Sequence, residues 1–152
     1  MAEKQKLIVV PWDFTPVAEH ALAHAVKISR MVHDEVCLLH IVDKNINPKE
    51  EGEKLVLLRH VAGENSKKYN LPISSEVLKG SIFTSIADFV NDREASLVIM
   101  GTHGMVGMQK LTGSWALKVI VRSKAPFIVV QDPPSDQERY HNIVFPVDFK
   151  TE

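Results

Sequence analysis

The chain has 152 residues, 45% of them hydrophobic, which suits one globular domain built around a single core. Its 18 basic and 19 acidic residues leave a formal net charge of -1, so no strong field draws it to nucleic acid or to an acidic membrane surface. No apolar run approaches the roughly 20 residues of a membrane span, and the single cysteine, Cys37, excludes an internal disulfide and a cysteine-rich metal cluster; a cytoplasmic protein is expected.

Leu7-Ile8-Val9-Val10 is a short apolar, mostly β-branched run that stops at Pro11, the pattern of a strand buried on both faces. Thr15 offers an N-cap hydroxyl, Pro16 suits the first helical position, and Ala18, Leu22, Ala25 and Ser29 recur at helical spacing. Val36 to Val42 reads as a second strand, followed by a helix from about Pro48 to Lys68 with Leu55, Leu58, Ala62 and Asn65 along one stripe. Ile73 to Leu78 is a weaker, partly alternating strand. After Lys79-Gly80, Ser81 can cap a helix that carries Ile82, Ile86, Phe89 and Val90.

Leu97 to Met100 forms the fourth strand, and Gly101 to Gly113 is punctuated by glycine. A helix is then expected from Ser114 to about Arg122, ahead of Pro126, and Phe127 to Val130 supplies a fifth strand. Strands alternating with helices require right-handed crossovers, because each helix must bury its apolar stripe against the sheet. The expected class is therefore a doubly wound α/β domain with a five-stranded parallel sheet and helices on both faces.

The chain also repeats itself. Leu7 to Phe14 is echoed by Asn142 to Phe149, with Ile, Val, Pro, Asp and Phe in register, across a stretch from Asp132 to Glu138 that has the composition of a linker. The expected organisation is one domain over residues 5–132, a linker over 133–141, and over 142–152 the first strand of a second, truncated copy. Having lost its own sheet, the strand from Asn142 to Val147 is expected to pair with a sheet edge or to be disordered.

In an open α/β sheet, ligands bind beyond the carboxyl ends of the strands. Pro11-Trp12-Asp13, His40-Ile41-Val42-Asp43 and Gly101-Thr102-His103-Gly104 all fall there. Asp13 can accept hydrogen bonds from a ribose or an adenine amine, and Ile41 can offer an apolar wall and backbone groups. Gly101, Gly104 and Gly113-Ser114 can bring backbone N–H groups up to an anion at a helix start. The residues alone leave a plainer account equally open, in which Asp13 caps the first strand-to-helix turn and the glycines only permit a tight loop.

A P-loop and a Gly-x-Gly-x-x-Gly after the first strand are both missing, which argues against a P-loop enzyme and a common dinucleotide oxidoreductase. No nucleophile elbow and no acid and base pair marks a catalytic site, so no catalytic residue is assigned and any ATP hydrolysis is expected to be weak. His20 and His24 lie four apart without a carboxylate to complete a metal motif; they are expected on a solvated helix face, and no metal site is assigned.

Taken together, Val9-Val-Pro-Trp-Asp-Phe14, Leu38-Leu-His-Ile-Val-Asp43, Gly80, Gly101-Thr-His-Gly104, Gly113-Ser114 and Pro126-Phe-Ile-Val-Val130 resemble the universal stress protein family, in the family's order over residues 5 to 132. The resemblance implies an adenine nucleotide alpha hydrolase-like sheet of order 3-2-1-4-5. It also implies a homodimer through the fifth strand, Phe127 to Gln131, and ATP held by Gly-x2-Gly-x9-Gly-Ser/Thr. Adenine and ribose contacts would fall on Pro11, Asp13 and Ile41, and phosphate contacts on Gly101, Gly104, Gly113 and Ser114. The chain departs from that pattern in having eight residues, Met105 to Thr112, where it has nine, and in placing Trp115 at the helix start. The functions implied are a stress-response regulatory module that binds ATP, a nucleotide-free scaffold acting by dimerisation and protein interaction, or an enzyme of adenylate chemistry.

Overall fold

Short β-branched runs separated by amphipathic helices have one economical solution, a sheet whose two faces are each covered by a pair of helices. The computed structural model, which describes residues 5–102, 114–136 and 140–147, adopts it. The elements in chain order are β1 (Leu7–Pro11), α1 (Pro16–Val32), β2 (Glu35–Val42), α2 (Pro48–Tyr69), β3 (Ile73–Lys79), α3 (Ile82–Asp92), β4 (Leu97–Gly101), α4 (Ser114–Arg122) and β5 (Phe127–Val130). All the pairings are parallel and the sheet order is β3-β2-β1-β4-β5.

Side-chain alternation along the central strands divides the core into two layers. Ile8, Val10, Leu38 and Ile99 face one way, against Leu22, Ala25 and Val26 of α1 and Leu58 and Ala62 of α2. Val9, Cys37, Leu39, Val98 and Met100 face the other, against Ile86, Phe89 and Val90 of α3 and Val119 of α4. Burial raises the pKa of the Cys37 thiol, as expected of a cysteine that serves as a small apolar core residue. Strand β3 has no fully buried residue, in keeping with its weak sequence pattern and its place at an edge.

Sequence and structure agree to within a residue or two at the element ends, and the capping chemistry explains most of them. Asn47 caps α2 by accepting from Glu50 N–H at 2.9 Å, with Pro48 at the first helical position. Helices α1 and α2 end in left-handed residues, His33 at φ 63° and Asn70 at φ 50°. Thr15 and Ser81 occupy N-cap positions, but neither side chain makes the capping bond expected of it. Gly80 ends β3 at φ +151° while its N–H donates to Val42 O at 2.9 Å, so a side chain there meets backbone strain. We expect Gly80→Ala to lower the urea midpoint by the equivalent of about 1 kcal/mol with the m-value unchanged.

One expectation about α1 needs correction. His20 and His24 are half-buried and engaged by the chain rather than only solvated: His20 Nδ1 is 3.0 Å from Gln131 O, and His24 Nε2 is 2.9 Å from Asp132 O. His24 Nδ1 also meets the Tyr140 hydroxyl at 2.8 Å, with the two rings stacked 6° from parallel and the Lys27 ammonium 4.5 Å from the Tyr140 ring centre. The four-residue spacing that could have presented two imidazoles to a metal instead holds the chain as it leaves the sheet. Further along, residues 140–147 form no strand within this chain, and Ile143, Val144 and Phe145 are 87%, 87% and 82% exposed, which leaves a neighbouring copy's edge as the partner the expectation still allows. Among the described residues no helix is long and apolar enough to cross a membrane.

Candidate functional site

Strands β1, β2 and β4 end side by side, and the turn from β1 into α1 is the most constrained part of that rim. Pairing with β2 continues one residue past β1, with Trp12 N–H donating to Leu39 O at 2.8 Å. Asp13 follows, then Phe14 at φ 63°, an unusual conformation for an aromatic residue. Asp13 Oδ1 accepts from Thr15 N–H at 3.1 Å and from the Thr15 hydroxyl at 2.6 Å. Thr15 therefore turns its hydroxyl back to Asp13 rather than forward to the helix, which is why the side-chain cap is missing.

The second carboxylate oxygen has a different environment. Asp13 Oδ2 is buried and has no hydrogen-bond partner among the described residues. It belongs to a cleft at the carboxyl ends of the strands, which Pro11, Trp12, Ile41 and Gly101 also line. Ile82 and Ile86 of α3, with Met100 of β4, make the cleft predominantly apolar. An unpaired acceptor in apolar surroundings is costly unless a donor reaches it. The arrangement suits an apolar group that carries a hydroxyl or amine donor.

Gly101 is fixed by packing. A Cβ built on it would collide with Val17 Cγ1 and lie 3.1 Å from the Val17 backbone carbonyl carbon, so only glycine lets the first turn of α1 come this close to the end of β4. Thr102 N–H donates to Val130 O at 2.9 Å, while its hydroxyl oxygen is buried without a partner among the described residues.

His40 also lines this cleft. Its Nδ1 lies 2.7 Å from Trp12 O and its ring packs edge-on against Phe14, with centroids 5.0 Å apart. Burial, above all, and the positive charge of Lys54 hold the imidazole below its ordinary pKa of 6.5, against the opposing pull of the Trp12 carbonyl and the Asp13 charge. The unfolded chain thus takes up a proton at a pH where the folded chain does not. The stability supplied by the neutral ring is complete above 6.5 and is lost as pH falls through the folded pKa. Urea unfolding between about pH 7.5 and 5 should show the wild type losing more stability on acidification than His40→Phe, and parallel profiles would refute this.

Residues 5–131 match the sequence profile of the Universal stress protein family. The chain belongs to that family. Universal stress protein MJ0531 of Methanocaldococcus jannaschii is 31% identical over 144 residues, covering 86% of this chain and 85% of that protein. Among solved structures, the universal stress protein from Archaeoglobus fulgidus in complex with dAMP superposes with a TM-score of 0.68 at 18% identity, over 86% of this chain and 100% of that one. A universal stress protein in complex with cAMP gives a TM-score of 0.66, also at 18% identity, over 84% of this chain and 97% of that one. At those identities the two structures establish the shared universal stress protein fold.

Of the positions marked by the family resemblance, the structure brings Pro11, Asp13, Ile41 and Gly101 to one cleft. Gly104 and Gly113 lie outside the described residues, as do His103 and the loop between them. Ser114 begins α4, and its side chain is outside the description. Trp12 and His40, which the sequence places at the carboxyl ends of the strands without a ligand contact, also line the cleft, together with Ile82 and Ile86, which carried no site signal. The two isoleucines carry the same helical-periodicity signal as core residues and could not have been separated from them. His40 did carry a signal, being a polar residue at the carboxyl end of an otherwise apolar strand.

Proposed function

We propose that this universal stress protein is a cytoplasmic, nucleotide-responsive regulatory module that binds ATP at the carboxyl ends of β1, β2 and β4. The observation that carries the reading is Asp13 Oδ2, a buried carboxylate oxygen with no partner among the described residues, beside an apolar slot. It would accept from a ribose hydroxyl or the adenine amine, with Pro11 and Ile41 against the base. Gly101, Gly104, Gly113 and Ser114 would surround the phosphates, the last two at the N-terminus of α4, where the helix dipole favours an anion. The dAMP and cAMP complexes of relatives of the same fold support an adenine nucleotide as the ligand class. ATP binds the two states of the protein with different affinity, and the resulting shift between them is what a partner reads.

Assembly follows from the sheet. Strand β5 is an edge, with Ile128 and Val129 partly exposed, and a homodimer forms by pairing Phe127 to Gln131 of two copies. Residues 142–152 are the opening of a second domain of the same kind. A nucleotide-free scaffold is the competing reading, favoured by the packing of Gly101 on Val17, which accounts for that glycine without a ligand. Titration calorimetry with ATP, AMP and cAMP at up to millimolar concentration separates the two. Heat of binding from at least one, competed by the others, supports the regulatory module; no heat from any of them leaves the scaffold.

A further inference from the structure

The turn that presents Asp13 is held from a neighbouring strand. We propose that His40 is a positioning residue, which grips the chain on both sides of Asp13 and keeps its free carboxylate oxygen in the pose that accepts a nucleotide. The inference rests on the nucleotide reading above and adds a residue to which that reading gives no role.

Three observations converge on it. First, the Trp12 carbonyl, immediately before Asp13, accepts from His40 Nδ1–H at 2.7 Å. Trp12 N–H already donates to Leu39 O at 2.8 Å, so both backbone groups of Trp12 are tied to β2, one of them by a side chain where a longer ladder would use a backbone donor. Second, the residue immediately after Asp13 is Phe14, whose φ of 63° is unfavourable for a side chain of that size. Its ring meets the His40 edge at 5.0 Å and the Trp12 ring at 6.5 Å, and the Lys54 ammonium lies 5.1 Å from its centre. Third, the Asp13 oxygen that Thr15 leaves free is the buried one beside the cleft.

These contacts fix the direction of the free oxygen. Thr15 holds Oδ1 only relative to the local turn and would move with it. His40 holds the turn relative to β2, the strand that also carries Ile41 to the same cleft. Without the imidazole donor, the Trp12 carbonyl is a partly buried acceptor lacking its bond, and Phe14 loses a contact that offsets its unfavourable φ. The turn relaxes and the carboxylate swings with it. A neutral imidazole suffices for this role, since a single Nδ1–H makes the bond.

A double-mutant cycle on ATP affinity tests the idea. His40→Phe keeps a ring against Phe14 but removes the donor, and we expect it to weaken ATP binding about tenfold; His40→Asn, whose amide N–H can reach the same carbonyl, should recover most of that loss. If His40 acts through Asp13, then His40→Phe made on Asp13→Ala should weaken ATP by less than about twofold more. A full tenfold loss on that background, or none on the wild-type background, overturns the positioning role while leaving the nucleotide reading intact. A wild-type protein that binds no ATP removes the nucleotide reading, and this proposal with it. Urea midpoints measured on all the variants separate general destabilisation from the affinity cycle, because only the cycle depends on Asp13.

Discussion

Gly101→Ala should lower the folding stability by about 3 kcal/mol, the upper part of the range for overpacking. The reason is the identity of the neighbour. A Cβ at Gly101 meets not only the Val17 methyl group Cγ1, which could rotate away, but also the Val17 Cβ at 3.0 Å and its backbone carbonyl carbon at 3.1 Å. Relief requires the whole N-terminal turn of α1 to retreat from β4, and interiors packed at crystal-like density resist such movement. For a chain of this size the cost appears as a fall in Tm of roughly 2–4 °C per kcal/mol. Val17→Ala made in the same molecule removes the worst collision and leaves the backbone contact, so it should restore part of the lost stability but not all of it. Full stability in Gly101→Ala alone would show that α1 does not approach β4 as closely as described. Because Val17 lies only four residues beyond Asp13, the displaced helix also carries the carboxylate away from the cleft, and nucleotide affinity should fall in step.

The sheet was legible in the sequence because its strands are buried on both faces. Runs such as Leu7 to Val10 and Leu97 to Met100 cannot be amphipathic, and the helices between them must lie on the sheet, so the architecture follows from the pattern alone. The order β3-β2-β1-β4-β5 was not in that pattern; it came from the family resemblance, and the pairing registers agree with it. Two kinds of information could not be read in advance. One is the destination of a polar side chain with several available partners. Thr15 could have capped α1 and instead bonds Asp13, while His20 and His24 could have faced water and instead hold Gln131, Asp132 and Tyr140. The other is whether a glycine is present for its backbone conformation, for a ligand or for close packing. At Gly101 packing alone already requires glycine, through contact with Val17, a residue more than eighty positions away, which no local motif encodes.

The sequence left open whether Asp13 is a turn-forming or a ligand-binding aspartate, and its two oxygens lie in different surroundings that let each role be tested separately. Oδ1 makes the turn, accepting from both the N–H and the hydroxyl of Thr15, and Oδ2 is left buried without a partner among the described residues. Asp13→Ala should therefore weaken ATP binding by about 10-fold to 100-fold, the range given by losing one charged hydrogen bond of roughly 1.5–3 kcal/mol. Asp13→Asn distinguishes the roles, since its amide oxygen can still serve Thr15 while its nitrogen replaces the free acceptor with a donor. If Oδ2 is the ligand's acceptor, Asn should bind ATP no better than Ala while folding more stably. Analogues identify the donor: for ATP lacking one ribose hydroxyl, or with the adenine amine replaced by a carbonyl, the one that has lost the partner of Oδ2 should bind wild type weakly and show no further loss in Asp13→Ala. ATP affinity unchanged in both variants would mean that the unpaired oxygen is not where the nucleotide is held, and the aspartate would keep only its part in the turn.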